Sequence, residues 1–233
     1  MILTRLFFLL LILVATLLSF GCEETPTVVE TDPPSLPTVL FKGPVTSSTN
    51  LEALNTKASV EAVNGLGSFF LIFSGVTPTT EANTFTWTYT SQGFTARLVA
   101  TSQSEGGYSW KIIYDGTDAQ NETFNNWTLL DGTTDSDSKN GTWIIYENNT
   151  TTKLLDFVWS TNTQTQTLTG LYRVYDGTTI STQLELTSNT DNTGELKQYD
   201  GTVLIYRSAW QANGSGQWWR YDQQGTVTSS GSW

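Results

Sequence analysis

The chain has 233 residues, enough for one sizeable all-β domain, and carries 11 Lys and Arg against 22 Asp and Glu, a formal net charge of −11. A surface this acidic repels phosphate backbones, so we expect no nucleic-acid partner. The sequence contains no His and a single Cys. This composition excludes a zinc site and any catalytic system built on a histidine base.

The N-terminus predicts a signal peptide over residues 1–21. Arg5 supplies a positive charge, and the apolar run over residues 6–18 is shorter than a membrane-spanning helix needs. The sequence Leu18-Ser19-Phe20-Gly21-Cys22 resembles the lipobox of bacterial lipoproteins. This resemblance implies that Cys22 is lipidated and anchors the protein in the cell envelope, on the outer membrane, facing the periplasm or the surface. Small residues in the same stretch also fit ordinary cleavage, so secretion is the alternative.

Residues 22–48 are rich in Pro, Thr and acid, which predicts a lipidated Cys followed by a flexible tether, with a single domain over residues 49–233. The domain begins with a predicted helix from Thr49 to Gly65, capped by Ser48 or Thr49. The run over residues 68–73 is predicted to continue the helix, buried against the sheet, with a buried strand as the alternative. The apolar residues at helical intervals in the first segment are Leu51, Leu54, Ala58 and Ala62, with Val60 and Val63 nearby.

From Asn83 onward the apolar period becomes two, which predicts about 10–12 short strands. Turn residues separate the strands and leave no room for crossover helices, so the sheet should be antiparallel throughout. The sequence therefore predicts a mainly β fold, an up-and-down meander forming an open or closed barrel, with the N-terminal helical segment packed against or inside the sheet. An aromatic residue followed by an acid recurs at the predicted hairpin tips: Tyr114-Asp115-Gly116, Tyr146-Glu147-Asn148, Tyr175-Asp176-Gly177, Tyr199-Asp200-Gly201 and Tyr221-Asp222-Gln223.

This architecture resembles the open β-barrels of lipoprotein carriers such as LolA and LolB. The aromatic hairpin units are also similar to the MORN-type repeat, with the best copies running from Gly141-Thr142-Trp143 to Tyr146 and from Gly216-Gln217-Trp218 to Tyr221. The first resemblance implies a sheet that curls around the apolar helical segment.

The recurring aromatic side chains are the main candidates for ligand binding, because flat rings stack on sugars or line a lipid cavity. The competing interpretation is that they fill the interior of the sheet and form cross-strand pairs. Trp218 and Trp219 are adjacent, so they must point to opposite faces, and one lies away from the core unless both faces are covered. The predicted ligand-binding residues are Trp110, Trp143, Trp159, Tyr172, Trp218 and Trp219.

No catalytic site is predicted. Glu185 and Glu195 lie on or beside late strands, but nothing in their spacing pairs them as the two carboxylates that glycoside hydrolysis requires. The acidic stretch from Asp131 to Gly141 has some features of a calcium loop, but Lys139 stands where an oxygen ligand is needed, so a hairpin loop is the better interpretation. We therefore expect a non-enzymatic protein with no metal and no cofactor.

These predictions lead to a cell-envelope lipoprotein, expected to be a monomer, that binds an apolar ligand or lipid inside the curled sheet or serves a structural role. The alternative is a surface module that recognises a glycan or a protein partner through exposed Trp and Tyr side chains. The position of four apolar side chains distinguishes these two functions: Phe69, Phe70, Ile72 and Phe73. If they fill the concave face of the sheet, no lipid pocket is left.

Overall fold

The computed structural model describes residues 32–45 and 49–233, and the predicted signal peptide, Cys22 and the start of the predicted tether lie outside the described residues. The described part contains α1 (Leu51–Asn64), which continues as a 3₁₀ helix (Gly65–Phe73). Within these residues, no helix is both long and apolar enough to cross a membrane. The strands are β1 (Thr79–Glu81), β2 (Thr84–Ser91), β3 (Phe94–Ser102), β4 (Tyr108–Thr117), β5 (Thr123–Thr134), β6 (Asn140–Tyr146), β7 (Lys153–Thr161), β8 (Leu168–Asp176), β9 (Thr179–Ser188), β10 (Gly194–Asp200), β11 (Val203–Trp210), β12 (Gly216–Tyr221) and β13 (Val227–Ser232).

The strands form one 13-stranded sheet in which each strand pairs with its neighbours in sequence, and the pairs are antiparallel. The sheet does not close, so β1 and β13 are its two edges. The predicted antiparallel meander is therefore confirmed, in its open form. The strand that the sequence did not predict is β1, which has three residues and is too short to show a period of two.

The Tyr-acid-Gly motif occurs in two structural settings. Gly177 and Gly201 have φ angles of 59° and 57° in the tight turns after β8 and β10, as the motif predicts. Gly116, however, lies inside β4 beside a register shift against β5, so the first copy is a bulge and not a hairpin tip. A Cβ on Gly116 would lie 2.0 Å from the carbonyl oxygen of Gly93. At this position Gly permits two backbones to approach closely.

One face of the sheet, the inner face, is covered by residues 33–45, α1 and the 3₁₀ helix, which together we call the covering layer. The hydrophobic core lies between this layer and the inner face. The hydroxyl of Thr56 in α1 lies 3.0 Å from the Tyr206 hydroxyl and donates to Ser208 Oγ at 3.0 Å, which ties the helix to β11. The opposite face of the sheet, the outer face, carries side chains that are mostly exposed or half-exposed.

The helix α1 turns a different face to the sheet than the sequence predicts. Its N-cap is Asn50, whose side chain accepts hydrogen bonds from two backbone amides of the first turn, instead of Ser48 or Thr49. The buried residues are Ala53, Thr56, Val60 and Val63. The predicted apolar stripe of Leu51, Leu54, Ala58 and Ala62 faces solvent. The sequence analysis missed this arrangement because the buried stripe is anchored by a polar residue, Thr56.

The 3₁₀ helix confirms the predicted helical continuation and brings its aromatic rings onto the sheet. Phe70 and Phe73 are buried, and the ring centroid of Phe70 lies 5.2 Å from that of Trp143. Phe69 is half-buried against the core. The helix is not buried all round, because Leu71 is 68% exposed and Ile72 is 38% exposed.

The structure corrects the predicted extent of the flexible tether. Val39 and Phe41 belong to the hydrophobic core, and the Phe41 ring meets the Phe157 ring edge-on at a centroid distance of 6.1 Å. The side chain of Asn64 accepts from the backbone N–H of Phe41 at 2.8 Å and donates to its carbonyl at 2.9 Å. Residues 33–45 are therefore a packed part of the domain, because alternate apolar side chains in this stretch reach the sheet.

Candidate functional site

Three of the predicted ligand-binding residues are core residues of the inner face. Trp110, Trp143 and Trp159 are at most 2% exposed. The indole of Trp143 lies over Gly132 on β5 and that of Trp159 over Gly141 on β6, where an added Cβ would lie 2.6 and 2.3 Å from ring carbons. Each ring thus covers a glycine on the preceding strand and leaves no free face for a ligand.

The other three predicted residues are divided between the two faces. Tyr172 and Trp218 lie on the inner face, partly buried against the core. Trp219 lies on the outer face, where the guanidinium carbon of Arg207 is 5.0 Å from its ring centroid. The two adjacent tryptophans therefore point to opposite faces, as strand geometry requires. Of the six predicted residues, Trp219 is the one that the sheet presents on its uncovered side.

The outer face carries a row of charged side chains that crosses the sheet from β4 to β11. Cross-strand register places Lys197 between Glu185 and Arg207, and Arg207 beside Trp219. We call the whole row the outer-face stripe: Lys111, Asp131, Lys153, Asp156, Arg173, Glu185, Glu195, Lys197 and Arg207.

At the centre of the outer-face stripe, Asp156 is almost fully buried and paired. Lys153 Nζ donates to Asp156 Oδ2 at 2.9 Å, and Arg173 Nε donates to Oδ1 at 2.7 Å. The Tyr175 hydroxyl donates to Oδ2 at 2.8 Å. Burial alone would raise the pKa of Asp156, but these three donors lower it below its ordinary value. The carboxylate therefore stays ionised and holds β7 to β8.

Glu195 and Glu185 are bridged by Lys197, whose Nζ lies 3.3 Å and 3.6 Å from their carboxylate oxygens. Arg207 Nη2 donates to Glu195 at 2.9 Å. Burial would raise the pKa of Glu195, but Arg207 and then Lys197 lower it. Burial and the nearby Glu185 raise the pKa of Tyr199 to about 12. Because Glu195 is held in its ionised form, it does not resemble the general acid of a glycoside hydrolase, whose pKa is raised.

A groove of about 780 Å³ lies at the β5 end of the outer-face stripe. It exists because β5 pairs with β6 only from Leu130 to Thr134, so the first half of β5 separates from the turn between β6 and β7. Three contacts bridge the gap: Trp127 Nε1 donates to the carbonyl of Thr150 at 2.9 Å, Asn149 Nδ2 donates to that of Thr123 at 3.0 Å, and Asn148 Nδ2 donates to the Glu122 carboxylate. These contacts fix the distance between the two walls.

The groove combines an aromatic ring with many hydrogen-bonding groups. Trp127 is paired with Tyr114 of β4 and stacks on Phe124 at a centroid distance of 5.4 Å, so its ring packs against the core of the inner face and meets the groove at its Nε1 edge. Tyr146 donates to Asp131 Oδ2 at 3.1 Å, and burial followed by the charge of Asp131 raises the pKa of Tyr146, so the phenol remains a donor. The lining residues are Asn125, Asn126, Trp127, Thr128, Asp131, Tyr146, Asn149, Thr150, Thr151 and Thr152.

The sequence analysis missed this groove, although one local signal was available. Asn125 and Asn126 stand in the middle of a predicted strand, and Asn is a poor strand former. In the structure Asn126 has a φ of 46°, its side chain bonds to Arg97, and its backbone N–H donates to Asp115 at 3.1 Å. A pair of Asn residues in an aromatic-rich strand therefore indicated an irregular, accessible segment.

A second groove, of about 680 Å³, separates α1 from β10–β13. Arg220 Nη2 donates to Glu52 Oε1 across it at 2.8 Å, and the Arg220 guanidinium lies 5.7 Å from the centroid of the Tyr206 ring. These contacts link the helix to the sheet. We interpret this groove as part of the packing of the covering layer.

Neither metal clusters nor relatives point to a function. Over residues 32–45 and 49–233, no group of three or more Cys, Asp or Glu side chains is arranged to hold a metal ion. The chain matches no protein-family model, and no curated protein matches it significantly.

Proposed function

We propose that this protein is a non-enzymatic cell-envelope lipoprotein that binds a neutral glycan in the groove between Trp127 and Tyr146. The observation that carries the proposal is the convergence of one oriented indole with amide, hydroxyl and carboxylate groups in a concavity of about 780 Å³. Sugars offer both apolar C–H faces and closely spaced hydroxyls, and this combination of groups matches both.

The charge of the groove indicates which glycans it accepts. Asp131 lies in the groove with its ion-pair partner Lys111 at 3.6 Å, and Arg97 at the rim is bonded to Asn126. Within the groove lining there is no Lys or Arg side chain to neutralise an acidic sugar. A uronic or sialic acid would therefore be disfavoured relative to a neutral or amino sugar.

The filled interior is the reason for preferring this groove to an apolar ligand inside the sheet. Phe41, Phe70 and Phe73 occupy the inner face where such a ligand would lie, and each is at most 2% exposed. The apolar side chains of the covering layer therefore fill the space that a bound lipid would occupy. An apolar ligand would have to displace these rings, at a cost of several kcal/mol.

The glycan-binding part is tested on an array of neutral, amino and acidic oligosaccharides with the detergent-solubilised full chain, followed by titration of the strongest ligand. Asn125→Ala removes an exposed amide from the groove and should weaken binding about threefold to tenfold. Gln217→Ala, an exposed change on β12 far from the groove in sequence and strand order, is the matched control. Equal affinities for the two variants, or preference for acidic glycans, would refute the proposal.

The anchoring part has an independent test. The mature protein isolated from a bacterial envelope should carry the mass of a diacylglyceryl group at Cys22, and Cys22→Ser should abolish both that mass and sedimentation with membranes. A mature chain with a free thiol at this position would mean ordinary secretion.

A further inference from the structure

The covering layer exposes most of the large apolar side chains that reach solvent, alongside the exposed ion pair of Lys57 and Glu61. Among the described residues, the sheet contributes three of the large hydrophobic side chains that are exposed, Tyr89, Leu154 and Val227. The covering layer is much the smaller part of the domain, but it contributes six: Leu40, Val45, Leu51, Leu54, Leu71 and Ile72. Exposed apolar side chains concentrated in one layer mark an interaction surface.

The geometry of the layer turns these side chains away from the sheet. On α1, Leu51 and Leu54 lie opposite the buried positions Val60 and Val63. In the extended segment, Leu40 is 67% exposed while its neighbours Val39 and Phe41 are buried, so alternation points it outward. We name this surface the apolar cap: Leu40, Leu51, Leu54 and Leu71.

Charge separates the apolar cap from the rest of the domain. Residues 33–73 contain two Lys and two Glu and are neutral, whereas residues 74–233 contain eight Lys and Arg against sixteen Asp and Glu, a net charge of −8. An anionic lipid surface therefore repels the sheet but not the covering layer.

The chain connects the apolar cap to the proposed anchor. Ten residues lie between Cys22 and Pro33, where the compact unit begins. Fully extended, that length of chain spans at most about 35–40 Å. A lipidated Cys22 would therefore hold the start of the covering layer close to the headgroups.

We propose that the apolar cap docks on the phospholipid surface to which Cys22 is attached, with its leucines at the boundary between headgroups and acyl chains. The proposal rests on the anchored part of the proposed function. Docking in this orientation turns the outer face, with Asp131 and Tyr146 of the groove, away from the bilayer. It also explains why the apolar stripe of α1 faces outward in a domain whose remaining surface is acidic.

The test uses the lipidated full chain in vesicles of phosphatidylethanolamine and phosphatidylglycerol that contain a spin-labelled lipid as quencher. Lipidation consumes the thiol of Cys22, so Leu54→Cys provides a single site for a fluorophore. The matched control is Thr169→Cys, exposed on the outer face. We expect the lipid quencher to reduce fluorescence at position 54 several-fold more than at position 169. Equal quenching at both positions would overturn the proposal, as would shielding of position 54 by a second copy in the absence of vesicles.

A second measurement separates failure of docking from failure of anchoring. The unlipidated Cys22→Ser chain is titrated with the same vesicles, with and without Leu51→Ser and Leu54→Ser together. Both leucines are exposed, so the fold is retained, and the double substitution should weaken vesicle binding about tenfold or more. If Cys22 carries no lipid, the anchor is refuted while this titration still tests the cap. If the Cys22→Ser chain binds equally with and without the two serines, the cap is refuted.

Discussion

The two faces of the sheet use aromatic residues in opposite ways. On the inner face, Trp143 and Trp159 lie over glycines of the preceding strand, in contact with Phe70 and Phe157. On the outer face, tyrosine hydroxyls reach carboxylates: Tyr146 to Asp131 and Tyr175 to Asp156. The inner rings are buried by packing, with indole N–H bonds from Trp110 and Trp159 at their edges, whereas the outer rings are held by polar contacts beside solvent.

The contrast shows that the neighbouring strand, and not the aromatic residue itself, determines what the ring does. An indole needs a flat, empty space beside it, which a glycine on the paired strand provides. A phenol needs an acceptor, which an acid on the paired strand provides. The inner face should therefore respond to changes in volume and the outer face to changes in charge.

The largest effect is expected from Phe70, which packs against both Trp110 and Trp143. Phe70→Ala should lower the free energy of unfolding by about 3–5 kcal/mol, because it leaves a cavity between the covering layer and the inner face. The neighbouring Leu71 is 68% exposed, so Leu71→Ala should change it by less than about 0.5 kcal/mol. Urea denaturation of the two variants measures the contrast, and similar losses would mean that the 3₁₀ helix does not fill the inner face.

On the outer face the largest effect is expected from Asp156, because its removal leaves Arg173 half-buried without its partner. Asp156→Leu should cost about 2–4 kcal/mol, and the double variant Asp156→Leu with Arg173→Met should recover part of that loss. Recovery would show that the loss of stability in Asp156→Leu comes from the unpaired guanidinium of Arg173. A double variant no more stable than the single one would mean that Asp156 acts through packing.

The same carboxylate makes stability depend on pH. Its pKa is lowered in the folded state, so its contribution is complete above the unfolded value of about 3.9 and is lost as pH falls through the folded value. The denaturant concentration at the midpoint of unfolding should therefore decrease as the pH is lowered below about 4. Asp156→Asn should show a shallower fall over the same range, and an unchanged slope would assign the acid sensitivity to other carboxylates.

A smaller loss is expected where an inner-face glycine lies under a tryptophan ring. A Cβ at Gly141 would lie 2.3 Å from the Trp159 ring, so Gly141→Ala should cost about 1–3 kcal/mol. Gly67 in the 3₁₀ helix has no atom within 4 Å of such a Cβ, and Gly67→Ala should be neutral or slightly stabilising. Equal thermal melting temperatures would contradict the idea that inner-face tryptophans depend on facing glycines.

The sequence revealed the order of the elements better than the direction of their side chains. The period of two from Asn83 onward located the strands from β2 to β13, because that signal is local. Whether Trp143 binds a ligand or fills the core depends on Gly132, which belongs to another strand. The face of α1 that is buried depends on Tyr206 and Ser208, more than 140 residues away. Periodicity carries no information about such distant partners.

The groove could not be predicted from the sequence for a similar reason. Its existence depends on β5 leaving β6 after five paired residues, Leu130 to Thr134. Nothing in the sequence indicates that the indole N–H of Trp127 donates to the carbonyl of Thr150. The two Asn residues before it indicated an irregular strand, but not what lies opposite.

The smallest effect on stability, and the sharpest test of the outer face, is expected from Tyr146. Tyr146→Phe keeps the ring and removes one hydrogen bond to Asp131, which should cost only about 0.5–1.5 kcal/mol. If the groove binds a glycan, the same change should also weaken binding, since Asp131 loses the donor that orients it. Tyr89→Phe, at a position 38% exposed, should alter neither quantity. Weaker glycan binding with a nearly unchanged melting temperature would separate recognition on the outer face from packing on the inner face. Unchanged affinity would mean that Tyr146 and Asp131 do not contact the glycan and that only the Trp127 side of the groove binds it.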